Sequence, residues 1–301
     1  MHDDPEDLPS RLDELEEEHR LYRPERRVSL LLTWMGQWLR ANRRVQVEAL
    51  PQVAPGEVAV GHVGHASVLI RYAHLTIASD PMFASRVGGA PRAVLPAAAV
   101  ADLDDVRLVL VGGAGRDRLC RHTLERLPRS ATVVVPPGCI SRLSGLGFAR
   151  VVELGLGQSF AHRGVEVTSV PVCAPFARHG ACAWMLHGPG PSIFLCGESG
   201  YFSGFADLGA RARPDIALLP IGGYAPAGLR PGNMSPLDAV YAFEDLGARL
   251  LVPIRWGVFQ LSYESLEDPI RWLRRIAAER RLERHINVIP IGGSRKYTAA
   301  G

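Results

Sequence analysis

A layered sandwich of β-sheets and α-helices is the fold class predicted for this 301-residue chain from residue 57 onward. Three observations carry that prediction. Short β-rich runs bounded by turn residues recur from Glu57 to the C-terminal part of the chain. Helical segments are interleaved among them at irregular intervals. The strands come in groups instead of alternating one-to-one with helices, which favours packed layers over a single βαβ sheet. The chain is long enough to bury a large core, and 47% apolar with 22% charged residues is ordinary for a folded domain.

Two segments precede the β-rich part. Residues 10–21 run from a capping Ser10 through Leu12, Leu15 and a glutamate-rich stretch at 14–18, and are expected to be helical with a solvated acidic face. After Pro24, the stretch 28–39 carries Leu30, Leu31, Leu32, Trp34, Met35, Trp38 and Leu39, followed by Arg40, Arg43 and Arg44. Such a stripe suits an interfacial helix in peripheral contact with a membrane. It suits equally a helix packed on its own domain or on a second subunit, and apolar stripes are more often core. Residues 1–48 are therefore read as a helical extension and 49–301 as the domain.

Strands are expected at 57–63, 67–72, 75–78, 107–111, 132–135, 151–154, 165–170, 183–186 and 193–196, then at 216–220, 250–254 and 286–289. The clearest helix runs from Ser235 as N-cap and Pro236 in the first helical position to Gly247 just beyond its end. A second covers 269–281, where Ile270, Leu273, Ile276 and Ala277 line one face. No repeat or low-complexity tract follows residue 57.

A net charge of +3 is too small to argue for nucleic acid or an anionic membrane, and Lys296 is the single lysine. The five cysteines, Cys120, Cys139, Cys173, Cys182 and Cys196, are odd in number and form no C-x-x-C pair. That usage favours free thiols in a reducing compartment. The acidic opening, Asp3, Asp4, Glu6 and Asp7, argues against a secretory signal, and no apolar run reaches the ~20 residues of a membrane span. A cytoplasmic location is the expectation.

A family resemblance can be followed through ordered motifs. Gly64-His65-Ala66-Ser67 resembles an opening strand motif and Ser79-Asp80-Pro81-Met82-Phe83 a T-D-P-x-F turn. The strand at 106–111 leads into Gly112-Gly113-Ala114-Gly115-Arg116-Asp117-Arg118, where the pattern has S-H-x-H-x-D-H. Val170–Ala174 stands at T-P-A-Q-H, Leu195–Tyr201 at A-G-D-T-G-Y, Leu218–Tyr224 at L-L-P-I-G-A-Y and Arg255–Phe259 at H-W-G-T-F. The chain resembles the metallo-β-lactamase-fold hydrolases, and within them the N-acyl-phosphatidylethanolamine-hydrolysing phospholipase D group. The resemblance implies an α/β fold of four αββα layers with a metal pocket at one edge, zinc or another divalent metal as cofactor, and hydrolysis of a phosphodiester or lactone.

It also locates the departures. Gly113, Gly115, Arg118, Ala174, Asn233 and Arg255 stand where the family keeps metal-binding histidines, and only Asp117 and Glu198 remain as ligand types. Glycine and alanine offer no ligand, guanidinium is a permanent cation, and two carboxylates make a poor zinc site. No metal and no cofactor are expected. The arginines are instead expected to replace the metal's charge in an ion-pair network with Asp117 and Glu198, and Tyr224 is expected beside the same pocket.

Three functions follow. The first is a metal-free pseudoenzyme that binds a small anionic or lipid-like ligand, or a protein partner, in the pocket formed by these nine residues. The second is a phospholipase D-like hydrolase with rebuilt chemistry, Asp117 or Glu198 acting as base and Arg118 or Arg255 stabilising an oxyanion. The third is an assembly subunit or homo-oligomer joined through the N-terminal helices.

Competing motifs are weaker. Gly113-Ala114-Gly115 lacks the third glycine of a dinucleotide loop, with Arg118 in its place. A glycine loop opening a helix near Leu119 could offer backbone N–H groups to an anion, whereas glycine filling the space of a lost imidazole is the simpler account. Ser199 lacks the G-x-S-x-G spacing of a nucleophile elbow. Cys173 and Cys196 fall near the pocket and are read as small apolar residues. His62, His65, His122, His179 and His187 show no H-x-H or H-E-x-x-H spacing, and His65 is read as a hydrogen-bonded structural residue.

Overall fold

In the computed structural model, residues 34–35, 43–177 and 179–299 are described. Thirteen strands form two stacked sheets, and a short ribbon pairs β4 (Arg86–Val87) with β5 (Ala90–Pro91). The first sheet comprises β1 (Glu57–Gly64), β2 (Ser67–Tyr72), β3 (Leu75–Ser79), β6 (Val106–Leu110), β7 (Thr132–Val135), β8 (Arg150–Glu153) and β15 (Ser294–Thr298), in the order β15-β1-β2-β3-β6-β7-β8. The second comprises β9 (Ser159–His162), β10 (Val165–Val170), β11 (Ala183–Gly188), β12 (Gly190–Leu195), β13 (Ile216–Pro220) and β14 (Leu250–Ile254), in the order β14-β13-β12-β11-β10-β9. Each sheet mixes antiparallel hairpins with parallel neighbours, β3-β6-β7-β8 in one and β12-β13-β14 in the other.

Strand periodicity builds the layers. In β2, Val68, Ile70 and Tyr72 enter the core between the sheets, whereas Leu69 packs on the outer face. Ile216 and Leu218 of β13 face the inner core, and Ala217 and Leu219 face the helices outside. One outer layer consists of α1 (Val100–Asp104), α2 (Arg121–Leu124) and the 3₁₀ turn at Ile140–Leu143. The other holds α3 (Gly204–Ala212), α4 (Pro236–Asp245), α5 (Asp268–Arg280) and the 3₁₀ turn Ala227–Gly232. Sheets covered by helices on both outer faces form the αββα sandwich.

Capping chemistry sets α4. The Ser235 side chain accepts from Asp238 N at 3.2 Å while Asp238 Oδ2 accepts from Ser235 N at 2.9 Å, a closed capping box. In α5, Ile270, Trp272, Leu273, Ile276 and Ala277 are buried, and the helix stops at Arg281 in the left-handed region.

The structure departs from the sequence reading at several elements. Residues 286–289 form no strand; Ile286 makes one isolated bridge to Leu251, and β15 instead supplies the edge beside β1. No helix opens near Leu119: residues 116–118 form a turn, and α2 is one turn beginning at Arg121. The edge strand β9 and helix α3 are additions.

The helix expected at 10–21 and most of the stretch 28–39 lie outside the described residues. Within the latter, the Trp34 indole donates to Gln260 O at 2.9 Å, and a Cβ at Gly89 would meet its ring. Residues 43–50 run along the sandwich, with Arg43 bridging Val94 and Glu48 N donating to Gly292 O. Among the described residues no helix is long and apolar enough to cross a membrane.

Candidate functional site

The strands end where the chemistry begins. Strands β1, β3, β6, β12 and β14 run out at Gly64, Ser79, Leu110, Leu195 and Ile254, and the loops that follow carry His65, Asp80, Asp117 with Arg118, Glu198 and Arg255. Backbone bonds clamp these loops across the two sheets. Arg255 N donates to His65 O at 2.8 Å, and Cys182 N donates to Gly112 O at 2.9 Å. Gly112 N donates to Asp80 Oδ1 at 2.7 Å. His65, Asp80 and Arg255 adopt φ of 59°, 40° and 60°, left-handed conformations that cost non-glycine residues on the order of 1–3 kcal/mol each.

Four side chains meet in one ion-pair network. Arg255 Nη2 lies 2.9 Å from Asp117 Oδ2 and 3.0 Å from Glu198 Oε1, bridging the two carboxylates. Arg118 Nη2 pairs with Glu198 Oε2. The second partner of Asp117 Oδ2 is His65 Nε2 at 3.1 Å. Arg118 and Arg255 are 2% and 7% exposed, so both guanidinium cations are held inside the protein.

The glycines explain how such a cation fits. A Cβ at Gly113 would stand 2.7 Å from Arg118 Nη2 and 2.9 Å from its Cζ, and a Cβ at Gly115 would stand 2.8 Å from Asp117 Oδ1. The Arg118 guanidinium therefore fills space that any larger residue at 113 would claim. Glycine here provides room, not conformational freedom, because neither position has positive φ.

Charge states follow from this packing. Burial disfavours ionised Asp117, but Arg255, the His65 hydrogen bond and Arg118 outweigh it and hold the carboxyl far below the usual range. For Arg118 and Arg255 burial opposes the cation, and the surrounding carboxylates, Glu198 first, more than compensate and raise both pKa values. His65 is lowered by burial, assisted by Arg255 and Arg92 and opposed by Asp117, so a neutral imidazole donates Nε2–H to Asp117. Asp80, 1% exposed, is pushed up to about 6 by burial, with Arg118 and the Gly112 N–H pulling the other way.

A cavity of about 500 Å³ opens over the network. Ala114, Gly115, Asp117, Arg118, Ala174 and Glu198 form part of its wall, with Arg116, Arg142, Phe176 and His179 nearer solvent. Four of the nine residues assigned to the pocket from the sequence do not line it. Tyr224 turns into the helix-side core, its ring edge-on to Trp272 at 5.5 Å. Asn233 donates from Nδ2 to Leu229 O at 2.9 Å, tied to its own 3₁₀ turn. Gly113 is buried behind the Arg118 guanidinium and bridges Ala181. Arg255 lies beneath Asp117 and Glu198, not on the wall.

Cys196 is buried in the core with its thiol pushed up to about 12 by burial, and Cys173 Sγ faces Pro231 O at 3.2 Å. Neither lines the cavity. Sequence reasoning missed Asp80 as a charged member of the site and Arg142 as a wall residue. The S-D-P turn could have flagged Asp80. No local signal marks Arg142, which arrives from a separate 3₁₀ turn. Among the described residues no three His, Cys, Asp or Glu side chains converge as a metal would require.

A family model described as "Beta-lactamase superfamily domain" matches residues 76–256. An uncharacterized protein of Mycobacterium tuberculosis is 31% identical over 275 residues, covering 82% of this chain and 71% of that protein. The mitochondrial N-acyl-phosphatidylethanolamine-hydrolyzing phospholipase D of Saccharomyces cerevisiae is 25% identical over 231 residues, covering 68% of this chain and 49% of that protein. Among solved structures, an isothiocyanate hydrolase from Delia radicum gut bacteria superposes with a TM-score of 0.67 at 16% identity, over 80% of this chain and 100% of that one. At that identity the likeness concerns the fold alone.

Proposed function

We propose that this chain, which belongs to the β-lactamase superfamily, is a metal-free member that acts by binding instead of hydrolysis. The observation that carries this reading is the pair of buried guanidinium groups. Arg255 bridges Asp117 and Glu198, and Arg118 occupies the space at Gly113 while pairing with Glu198. Relatives of the chain are named metal-dependent hydrolases, one from Caldivirga maquilingensis at 32% identity over 104 residues. A divalent metal does not suit the residues present here. Both candidate carboxylates are engaged by permanent cations, and the imidazole bonded to them, His65, already donates to Asp117. No hydrolytic step is assigned through a metal.

Hydrolysis with Asp117 or Glu198 as base is disfavoured on the same geometry. Asp117 is held too far below neutrality to draw a proton, and each Glu198 oxygen meets a guanidinium nitrogen. What remains is a shaped cavity over a charge-balanced floor.

Elemental analysis of protein purified without chelator or added metal tests the reading. Zinc, iron and manganese are expected far below one equivalent, with no phosphodiesterase or lactonase turnover. Stoichiometric metal that resists dialysis would sink it, as would turnover lost in Glu198→Gln.

A further inference from the structure

The cavity wall divides into two chemistries. Its floor is neutralised, because Asp117 is paired with Arg255 and His65, and Glu198 with Arg118 and Arg255. Its solvent side carries Arg116 and Arg142, both exposed, and among the described residues no carboxylate pairs with either. The two come from separate elements, the loop after β6 and the 3₁₀ turn at Ile140–Leu143, and converge on one opening. The same wall carries the small or apolar Ala174, Phe176 and Ala177, where Phe176 is 59% exposed and its ring lies against Gly232.

We propose that the cavity is a binding site for a small organic oxyanion. Arg116 and Arg142 grip a carboxylate or phosphate-monoester group, and the ligand's apolar body lies along Ala174, Phe176 and Ala177. The assignment rests on the metal-free reading above, since a metal beneath the cavity would change both its charge and its chemistry.

The physical grounds are charge and shape. Guanidinium forks match planar carboxylate and tetrahedral phosphate oxygens, and two from different elements fix an oxyanion from two directions. Floor carboxylates already held by cations do not repel it. A volume of about 500 Å³ falls within the roughly 300–1,000 Å³ of small-molecule sites, and its wall is shared about evenly between charged or polar side chains and small or apolar ones. Glycine at 115 and alanine at 114 and 174 keep the space above the floor clear of side chains.

Titration calorimetry on the full chain decides the matter, with phenyl phosphate, phenylacetate and neutral phenethyl alcohol as probes. Metal content and phosphate release are measured on the same preparation. At least one anion is expected to bind saturably, more weakly as salt is raised, and the alcohol is expected not to bind. Arg116→Gln and Arg142→Gln should each weaken binding at least tenfold, and the double variant should abolish it. Both side chains are exposed, so the melting temperature should not move. The control R274Q/R284Q removes the same charge from exposed positions outside the cavity and should leave affinity unchanged.

Tighter binding of phenyl phosphate assigns the site to phosphate monoesters, and tighter binding of phenylacetate assigns it to carboxylates. Protein that is metal-free and inactive yet binds neither anion overturns this site alone. Wild-type affinity in the double variant overturns it too. Stoichiometric metal with phosphate release overturns the metal-free reading and this proposal together.

Discussion

Replacing Gly113 by alanine tests whether the buried arginine and the glycine are one device. The backbone at 113 does not lie in the positive-φ region, so alanine is conformationally acceptable there. The obstacle is the side chain opposite: the new Cβ would stand 2.7 Å from Arg118 Nη2 and 2.9 Å from both Cζ and Nη1. An exposed arginine would swing aside. This one is buried, pairs with Glu198, and keeps its Cδ close to Gly197. Overpacking of this kind costs roughly 1–3 kcal/mol. In an Arg118→Ala background the clash disappears, and alanine for glycine should be neutral or stabilising by about 0.5 kcal/mol through the unfolded chain.

The coupling between the two positions is therefore expected at roughly 1–3.5 kcal/mol from a double-mutant cycle. Urea denaturation followed by tryptophan fluorescence measures it, with the buried Trp184 as one reporter. Gly228→Ala serves as a control, because a Cβ there meets nothing within 4 Å. Equal costs of Gly113→Ala in the two backgrounds would refute the idea that the guanidinium occupies the glycine's space.

Two further substitutions probe the charges. Asp80 has its pKa raised to about 6 in the folded protein, so its native state holds more protons than the unfolded chain between pH 4 and 6. Stability from this group is greatest below pH 4 and falls as pH rises through 6. Asp80→Asn should abolish that decline, a difference from wild type of about 2 kcal/mol between pH 4.5 and 7.5 in urea melts. Parallel pH profiles for the two proteins would count against it. Arg255→Met leaves Asp117 with His65 as its chief remaining partner and is expected to cost about 3–5 kcal/mol, as breaking a buried pair does. Asp117 has a depressed folded pKa, so the stability it contributes is present above pH 4 and fades as pH falls. Removing its cation should flatten the acid limb of the stability profile. An unchanged acid limb in calorimetric melts would contradict that account.

Strands with clean periodicity were legible in the sequence, as was the Ser235–Gly247 helix, whose cap and proline are local signals. Edge strands were not. Residues 294–298 are Ser-Arg-Lys-Tyr-Thr with only Tyr297 buried, so nothing in their hydrophobicity announces a partner for β1. Residues 286–289 are apolar enough to suggest a strand, but they meet the edge strand β14 of the second sheet only at Leu251, and the pairing does not extend into a ladder. At the site, Asp117, Arg118, Glu198 and Arg255 were legible because motif order fixes which strand end each one follows. Tyr224 was misplaced because neighbouring residues on a loop can face opposite ways, and its ring found Trp272. Arg142 was invisible because its membership depends on how a distant 3₁₀ turn packs.

The pairing of carboxylates with guanidinium groups at this site has a structural logic of its own. Three carboxylates, Asp80, Asp117 and Glu198, feel the charge of two buried cations, Arg118 and Arg255, and His65 is neutral. With one carboxylate in excess, the cost falls on the most buried of the three, Asp80, whose pKa rises to about 6 while that of Asp117 falls, so that Asp80 takes up its proton first as the pH drops. A bound metal can leave its ligands, but a guanidinium is covalently part of the chain and cannot be stripped away. The left-handed residues at 65, 80 and 255 direct these charges inward and are costly in themselves, yet cross-sheet bonds such as Arg255 N to His65 O hold them in place. A strained frame that holds paired charges beneath one cavity is what the proposed binding role would require, since packing alone would be served at least as well by an apolar floor.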